Sequence, residues 1–414
     1  MKLSDIQEVS ASQKTELERQ EPGLKRHILP VLPDIQSHVL VLSGIRRCGK
    51  STLLRQFIKK LGRPYFYLNF DDMRLAPFSH ADFGLLDKTI ANSGARLLFF
   101  DEIQSAPHWE LYVRQKLDEG FQLAITGSNA SLLSRELGTR LTGRHLSREL
   151  FPFSYGEFCG FLSLAAGPDS FMDYLEKGGF PEFLKTGNTD ILTQLQSDIL
   201  YRDIAVRYGI RDAASLLRLF VYLVSNPAQL FSPSKLTQTA GVKSPTTVLE
   251  HISHFEAAYL VHLLPCFAWS VKARNLAPKK VYIVDPGIIK TGAVSFGGNF
   301  GALLENYVFN CLRTASGAPL LPGDREIYYF TNKNGGECDF IVSPQKNPSC
   351  IQACWELTND NQDREIKGLL AAMDFFNREH GVILTFNTED IIQSSGKTIT
   401  VMPAWKYTVP LNAA

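Results

Sequence analysis

Gly44-Ile45-Arg46-Arg47-Cys48-Gly49-Lys50-Ser51-Thr52 is the stretch whose residue types and spacing carry the plainest chemistry. A glycine-bracketed loop lets successive backbone N–H groups turn toward an anion, and a helix that follows adds the partial positive charge of its N-terminus. The pattern G-x-x-x-x-G-K-[ST] is that of a phosphate-binding loop, and it lies between an apolar strand-like run at 38–43 and a helix expected over 51–61. In such a loop Lys50 reaches the β- and γ-phosphates of ATP, the Ser51 hydroxyl ligates Mg²⁺, and Gly44 through Thr52 cradle the nucleotide.

A second group answers it. Arg96-Leu97-Leu98-Phe99-Phe100-Asp101-Glu102 is an apolar strand ending in two carboxylates. Asp101 supplies the acidic oxygen that a Mg²⁺ shell needs, and Glu102 is the base that polarises a water for attack. The run 121–126 ends in Thr126-Gly127-Ser128-Asn129, where Ser128, with Thr126 and Asn129 beside it, is placed to touch a γ-phosphate or the water. A turn or helix cap is the plainer use of those residues. Arg144, with Arg140 as its rival, precedes a further strand at 145–150; it is either a surface arginine or the cation that neutralises transition-state charge.

These residues need a scaffold. Near-continuous apolar strands at 38–43, 65–70, 97–101, 121–126 and 145–150, separated by helical stretches, predict an α/β doubly wound domain with a parallel sheet. The remaining chain reads as further parts. We expect a leader at 1–30, the P-loop core at 31–155, a helical connector at 156–210, a winged helix-turn-helix at 211–295, and a second α/β domain at 296–414. In the third part, a short helix at 233–240, a turn at Gly241, a longer helix at 245–258 and strands at 259–267 and 279–285 carry the pattern.

Composition narrows the classes. At 414 residues, 44% hydrophobic and 21% charged, with a net charge of +1, the chain is neither disordered nor globally attracted to nucleic acid or membrane. Seven cysteines without a C-x-x-C pair suit reduced thiols in a cytoplasm and argue against zinc. No apolar run approaches the ~18 residues that span a bilayer, and the first eight residues lack an apolar signal core, so a soluble protein is expected.

The chain resembles a bacterial and archaeal family of AAA-type P-loop ATPases that carry a C-terminal domain of unknown function. Residues 44–54, Asn69-Phe70-Asp71-Asp72, Phe100-Asp101-Glu102-Ile103-Gln104, Thr126-Gly127-Ser128-Asn129, Leu141-Thr142-Gly143-Arg144, Gly178-Gly179-Phe180-Pro181-Glu182, Leu303-Leu304-Glu305-Asn306 and Glu337-Cys338-Asp339-Phe340 carry the likeness. It implies an ATPase core, a winged helix and a restriction-endonuclease-type domain. Such nucleases hold Mg²⁺ through a helix Glu, a strand Asp and a Glu-x-Lys pair. Glu305 and Asp339 match, whereas Gln352 and Cys354 stand where Glu and Lys belong, and Glu356 is followed by Thr358; a degraded centre is expected. DNA contact, if the winged helix makes it, would fall to Lys243, Ser244, Thr246, Thr247, Glu250, His251 and His254 on its third helix, and to Lys272, Arg274, Lys279 and Lys280 in the wing. Three functions compete: an ATP-driven motor or switch acting on DNA or a protein partner, a slow nucleotide-sensing regulator, and an ATP-dependent nuclease. A homo-oligomer is expected if Arg144 serves a neighbouring subunit.

Overall fold

The structure, a computed structural model, describes residues 1–128, 143–294, 298–314, 326–333, 335–343 and 347–407. The chain divides into two compact units, one of Met1–Phe151 with Ala257–Tyr259, the other of Pro152–Glu256 and the residues from Leu260 onward.

The first unit is built on five parallel strands: β1 (Val39–Ser43), β2 (Tyr65–Asn69), β3 (Leu97–Asp101), β4 (Gln122–Gly127) and β5 (His145–Glu149), in the order β2-β3-β4-β1-β5. Parallel strands buried on both faces must be apolar throughout, and Val39, Leu40, Val41 and Leu42 are at most 1% exposed. On one face Val41, Leu68, Phe100 and Ile125 pack with Leu86 and Ile90 of α3 (Phe83–Ser93) and Trp109 and Val113 of α4 (Trp109–Asp118). On the other, α2 (Lys50–Leu61) sets Phe57 edge-on to Phe99, with ring centroids 6.4 Å apart.

The expected leader at 1–30 contains a helix that packs on the sheet. Residues Leu3–Arg19 form a helix, α1, whose Ile6 and Val9 belong to the same core as the sheet. Each such burial contributes roughly 1.5–3 kcal/mol. Its Gln13 exchanges hydrogen bonds with the backbone of Asn69 at the tip of β2. A helix with only four buried residues among seventeen reads as polar in sequence, because a narrow apolar stripe suffices to dock it.

The second unit begins with α5 (Tyr155–Leu162), α6 (Pro168–Lys177), α7 (Pro181–Thr186) and α8 (Asp190–Asp198), the last continuing as a π-helical segment, Ile199–Val206. Helices α9 (Ala213–Ser225), α10 (Pro233–Thr239) and α11 (Pro245–Ala257) follow, with an antiparallel sheet of β6 (Leu230–Phe231), β7 (Val261–Pro265) and β8 (Lys279–Ile283) in the order β6-β8-β7. A short helix, α12 (Val271–Leu276), joins β7 to β8, and α13 (Pro286–Gly292) is capped by Asp285. Asp285 also accepts the Gly179 N–H at 2.7 Å, which pins the Gly178-Gly179-Phe180-Pro181 turn. Burial pushes its carboxyl up to about 7, against backbone N–H donors that hold it down.

Helix α14 (Phe300–Thr314) precedes a mixed sheet of β9 (Ile327–Thr331), β10 (Glu337–Val342), β11 (Ser349–Ala353), β12 (His380–Thr385), β13 (Asp390–Ser394) and β14 (Lys397–Pro403), with α15 (Gln362–Phe375) against it. The β13–β14 hairpin has no counterpart in the sequence reading. Its signal was the two-residue turn Ser395-Gly396, at φ 51° and 71°, between alternating runs. Apart from Ala257–Tyr259, the described residues of the three parts expected at 156–210, 211–295 and 296–414 fall together in this one unit.

Candidate active site at the carboxyl edge of the parallel sheet

In an open α/β sheet ligands gather outside the carboxyl ends of the strands; here β3 ends in Asp101, and β1 and β4 lead directly into Gly44 and Ser128. The phosphate-binding loop is held from outside itself. Gly44 takes φ 151° and passes so close to Leu150 that a Cβ would lie 2.0 Å from its carbonyl oxygen. Arg26, 4% exposed, donates to the Cys48 carbonyl at 2.8 Å and to that of Phe151 at 2.8 Å, so a residue from the expected leader braces the loop. Ile45 and Cys48 are fully buried, and the Cys48 thiol, pushed up by burial, donates to Leu150 at 3.3 Å. The side chains of these two loop residues therefore form wall. Arg46 and Arg47 share the loop, Arg47 at φ 61°.

Lys50 opens α2 after Gly49, its Nζ 3.1 Å from the carbonyls of Gly44 and Ile45 and 3.8 Å from Glu102 Oε1. Asp101 is wholly buried and accepts hydrogen bonds from Ser51, Thr126 and, at 3.1 Å, the Tyr67 hydroxyl. Burial pushes its carboxyl up and Glu102 adds to that, while Ser51, Thr126 and Lys50 pull it back. A buried carboxylate beside a hydroxyl is an oxygen donor set that suits a hard divalent cation, so the residues fit Mg²⁺.

Glu102 sits in the left-handed region at φ 47°, its N–H donating to the Thr126 hydroxyl at 3.0 Å. The Gln104 amide donates to the Glu102 carboxylate and, at 3.4 Å, approaches Ser128 Oγ. Ser128, Glu102 and Lys50 thus lie at one end of the site, linked by Gln104 and by the Lys50–Glu102 approach. Thr126 does not join them as a phosphate contact, because its hydroxyl is spent on Asp101 and Glu102. Gln104, whose amide links Glu102 to Ser128, was not among the expected site residues; its only signal was adjacency to Asp101-Glu102.

Arg144 lies elsewhere. It precedes β5, paired in register with the start of β1 (Val39 to His145), and bonds Asp118 at 2.7 Å. Ser43, which leads into the loop, faces Glu149, so the strand length of about 13–16 Å separates Arg144 from the phosphate end of its own sheet. Asn129 and Arg140 lie outside the described residues.

The second unit corrects two expectations. Lys280, expected in the wing for phosphate contact, is 4% exposed with Nζ 2.8 Å from Glu305, 2.7 Å from Glu337 and 2.9 Å from Asp339. Burial alone would depress its pKa, yet the surrounding carboxylates, Asp339 foremost, raise it above the ordinary lysine range. Glu305 is pushed up to about 8 by burial and by Asp339, the opposite of what a lone ion pair does; the three short contacts argue for a charged Lys280 serving several acids at once. Gln352 bonds the Asp339 N–H at 3.2 Å and Glu365 at 2.7 Å. An ammonium already occupies the middle of these acids, so the residues do not suit a nuclease-type metal. His251 and His254 likewise leave the expected contact face: His251 is buried and His254 stacks on Tyr208 at 3.7 Å. Arg274 lies 4.8 Å over the Tyr328 ring, whereas Lys272 and Lys243 are exposed.

This sheet order, loop and acidic strand end define an AAA-type P-loop protein. An AAA domain model matches residues 36–159, and a model described as a domain of unknown function (DUF8612) matches 168–294. The chain is 30% identical over 402 residues to an uncharacterized protein of Methanocaldococcus jannaschii, covering 91% of this chain and 89% of that one. It is 31% identical over 296 residues to an uncharacterized protein of Haemophilus influenzae, covering 66% and 73%. Among solved structures, the Walker-type ATPase PABY2304 of Pyrococcus abyssi aligns with 69% of this chain and 94% of its own, at 16% identity and a TM-score of 0.42. The chain belongs to the family that joins an AAA-type P-loop domain to a C-terminal domain of unknown function. No helix among the described residues is long and apolar enough to cross a membrane.

Proposed function

We propose that the protein is a cytoplasmic, Mg²⁺-dependent ATPase that uses nucleotide binding and turnover to switch a C-terminal module holding DNA or a protein partner. The observation that carries the reading is the convergence of Lys50, Ser51, Asp101 and Glu102 at the carboxyl edge of one parallel sheet. Residues 44–52 bind the phosphates, Lys50 adds the cation, and Ser51 with Asp101 hold the metal, which supplies charge neutralisation when bound. Glu102 takes the proton of the attacking water, and Ser128 lies where it can orient that water. Arg144, turned away from its own loop, acts on a neighbour's nucleotide in a homo-oligomer.

Three helices, with β6 between the first two and β7 and β8 after the third in a sheet ordered β6-β8-β7, support a winged helix in the second unit, with Lys243, Thr246 and Lys272 as its exposed polar contacts. A nuclease is not supported, since Lys280 stands among the acids. One observation favours slow, switch-like turnover: Lys50 already engages the Glu102 carboxylate. Lys50→Ala should abolish ATP binding, and Glu102→Gln should bind ATP at parent affinity with turnover reduced at least ~10²-fold. Parent-rate hydrolysis by Glu102→Gln would falsify the base assignment. Turnover accelerated by DNA identifies the motor; slow turnover indifferent to DNA identifies the switch.

A further inference from the structure

A cavity of about 670 Å³ opens on the outer side of Ser51 and Asp101, enclosed by α1, the tip of β2 and one face of α2. Its buried floor holds Tyr67, Asp101 and Arg55. Tyr67 and Asp101 satisfy each other at 3.1 Å. Arg55 is different. It is 7% exposed, yet among the described residues its guanidinium meets only neutral partners, the Gln20 amide oxygen at 2.9 Å and the Thr52 hydroxyl at 3.4 Å, and its Nε meets none.

Buried charges are ordinarily paired with an opposite charge. A clamp between α2 and the N-terminal segment does not explain this one. Gln56 already does that work with neutral bonds to the carbonyls of Pro22 and Leu24 at 2.8 and 2.7 Å. Arg55 lies four residues after Ser51, so both project from the same face of α2 toward the cavity. The rim mixes signs: Asp72 is committed to Arg74 at 2.8 Å, Glu16 accepts from Gln20 at 3.0 Å, and Asp71 and Arg19 are exposed. At the bottom, Arg55 has no carboxylate within ion-pair distance among the described residues, since Asp101 on the same floor is engaged by Ser51, Thr126 and Tyr67.

We propose that this cavity is a second anion site in which Arg55 receives a phosphate group. The planar guanidinium, with Nε free and its two outer nitrogens held only by neutral oxygens, matches the fork that phosphate takes. That group belongs either to the P-loop nucleotide or to a second phosphorylated molecule entering over α1. The inference goes beyond the ATPase reading. Its failure is distinguishable from failure of that reading, which Lys50→Ala tests.

The full-length protein is saturated with Mg²⁺ and a β,γ-imido analogue of ATP, and inorganic phosphate is titrated calorimetrically. If a second molecule supplies the group, phosphate binds saturably to the loaded parent and at least tenfold more weakly to Arg55→Gln, with analogue affinity within twofold. If the nucleotide supplies it, the loaded parent takes no phosphate and Arg55→Gln loses tenfold or more in analogue affinity. Should Arg55→Gln not fold, Arg55→Lys keeps the charge without the fork and is read the same way, with a threefold or greater loss expected. Both affinities unchanged, in whichever variant folds, overturn the proposal.

Discussion

Glu102 illustrates how a single residue is set by neighbours of different chain distance. Its left-handed backbone, uncommon for a side chain with a Cβ, is stabilised by the bond from its N–H to Thr126, on the adjacent strand. Its carboxylate is aimed by Gln104, two residues on. The Glu102 carboxylate is therefore oriented from a turn rather than from a helix or strand, and the orienting amide is replaceable without touching the phosphate loop. Gln104→Leu should leave nucleotide affinity within about twofold and lower kcat roughly tenfold, because orientation of a general base is worth a part of its 10²–10⁴-fold effect. Steady-state kinetics beside a binding titration separate the two quantities. Equal losses in affinity and kcat would make Gln104 a packing residue.

At the scale of elements, strand β8 brings Lys280 against helix α14 and strand β10, where Glu305, Glu337 and Asp339 converge on it. One buried cation thus ties three elements together in the second unit. Removing one partner of a buried pair leaves the others uncompensated, at a cost of about 3–5 kcal/mol. Lys280→Met should accordingly lower the unfolding free energy of the second unit by that measure, read as a lower denaturant midpoint, while ATP binding persists. A neutral effect on unfolding would mean that the acids find another counter-charge. In sequence Lys280 looked like one of four cations in a wing. Only the pairing of β8 with β7 and the approach of α14 turn it inward, since a strand residue's face is decided by what packs there.

For the whole molecule, the question is whether one chain makes a complete catalytic site. Arg144 lies at the amino end of β5 in an ion pair with Asp118, so a part in hydrolysis requires a second copy. Arg144→Ala should bind ATP nearly as the parent does and turn over at least ~10²-fold more slowly. Mixed with Lys50→Ala protein it should regain activity, because one interface then joins an intact loop to an intact Arg144. Absence of complementation, together with a monomeric mass in ATP, would leave Arg144 with its Asp118 pair alone.

The phosphate loop, the Asp101-Glu102 pair and the five strands were all legible in the residues themselves. Each is local: a loop that must curl around phosphate needs glycines at fixed spacing, and a strand buried on both faces must be apolar along its length. The docking of α1, the bracing of the loop by Arg26, the aim of Gln104 and the inward turn of Lys280 were not legible. Each depends on contacts between residues far apart in the chain or on which of several polar neighbours a side chain selects. A narrow apolar stripe, a lone arginine or a lysine in a basic run has the same sequence whether it faces water or a buried partner. Tertiary packing alone decides between them, because burial changes the worth of a charge or hydrogen bond far more than residue type does.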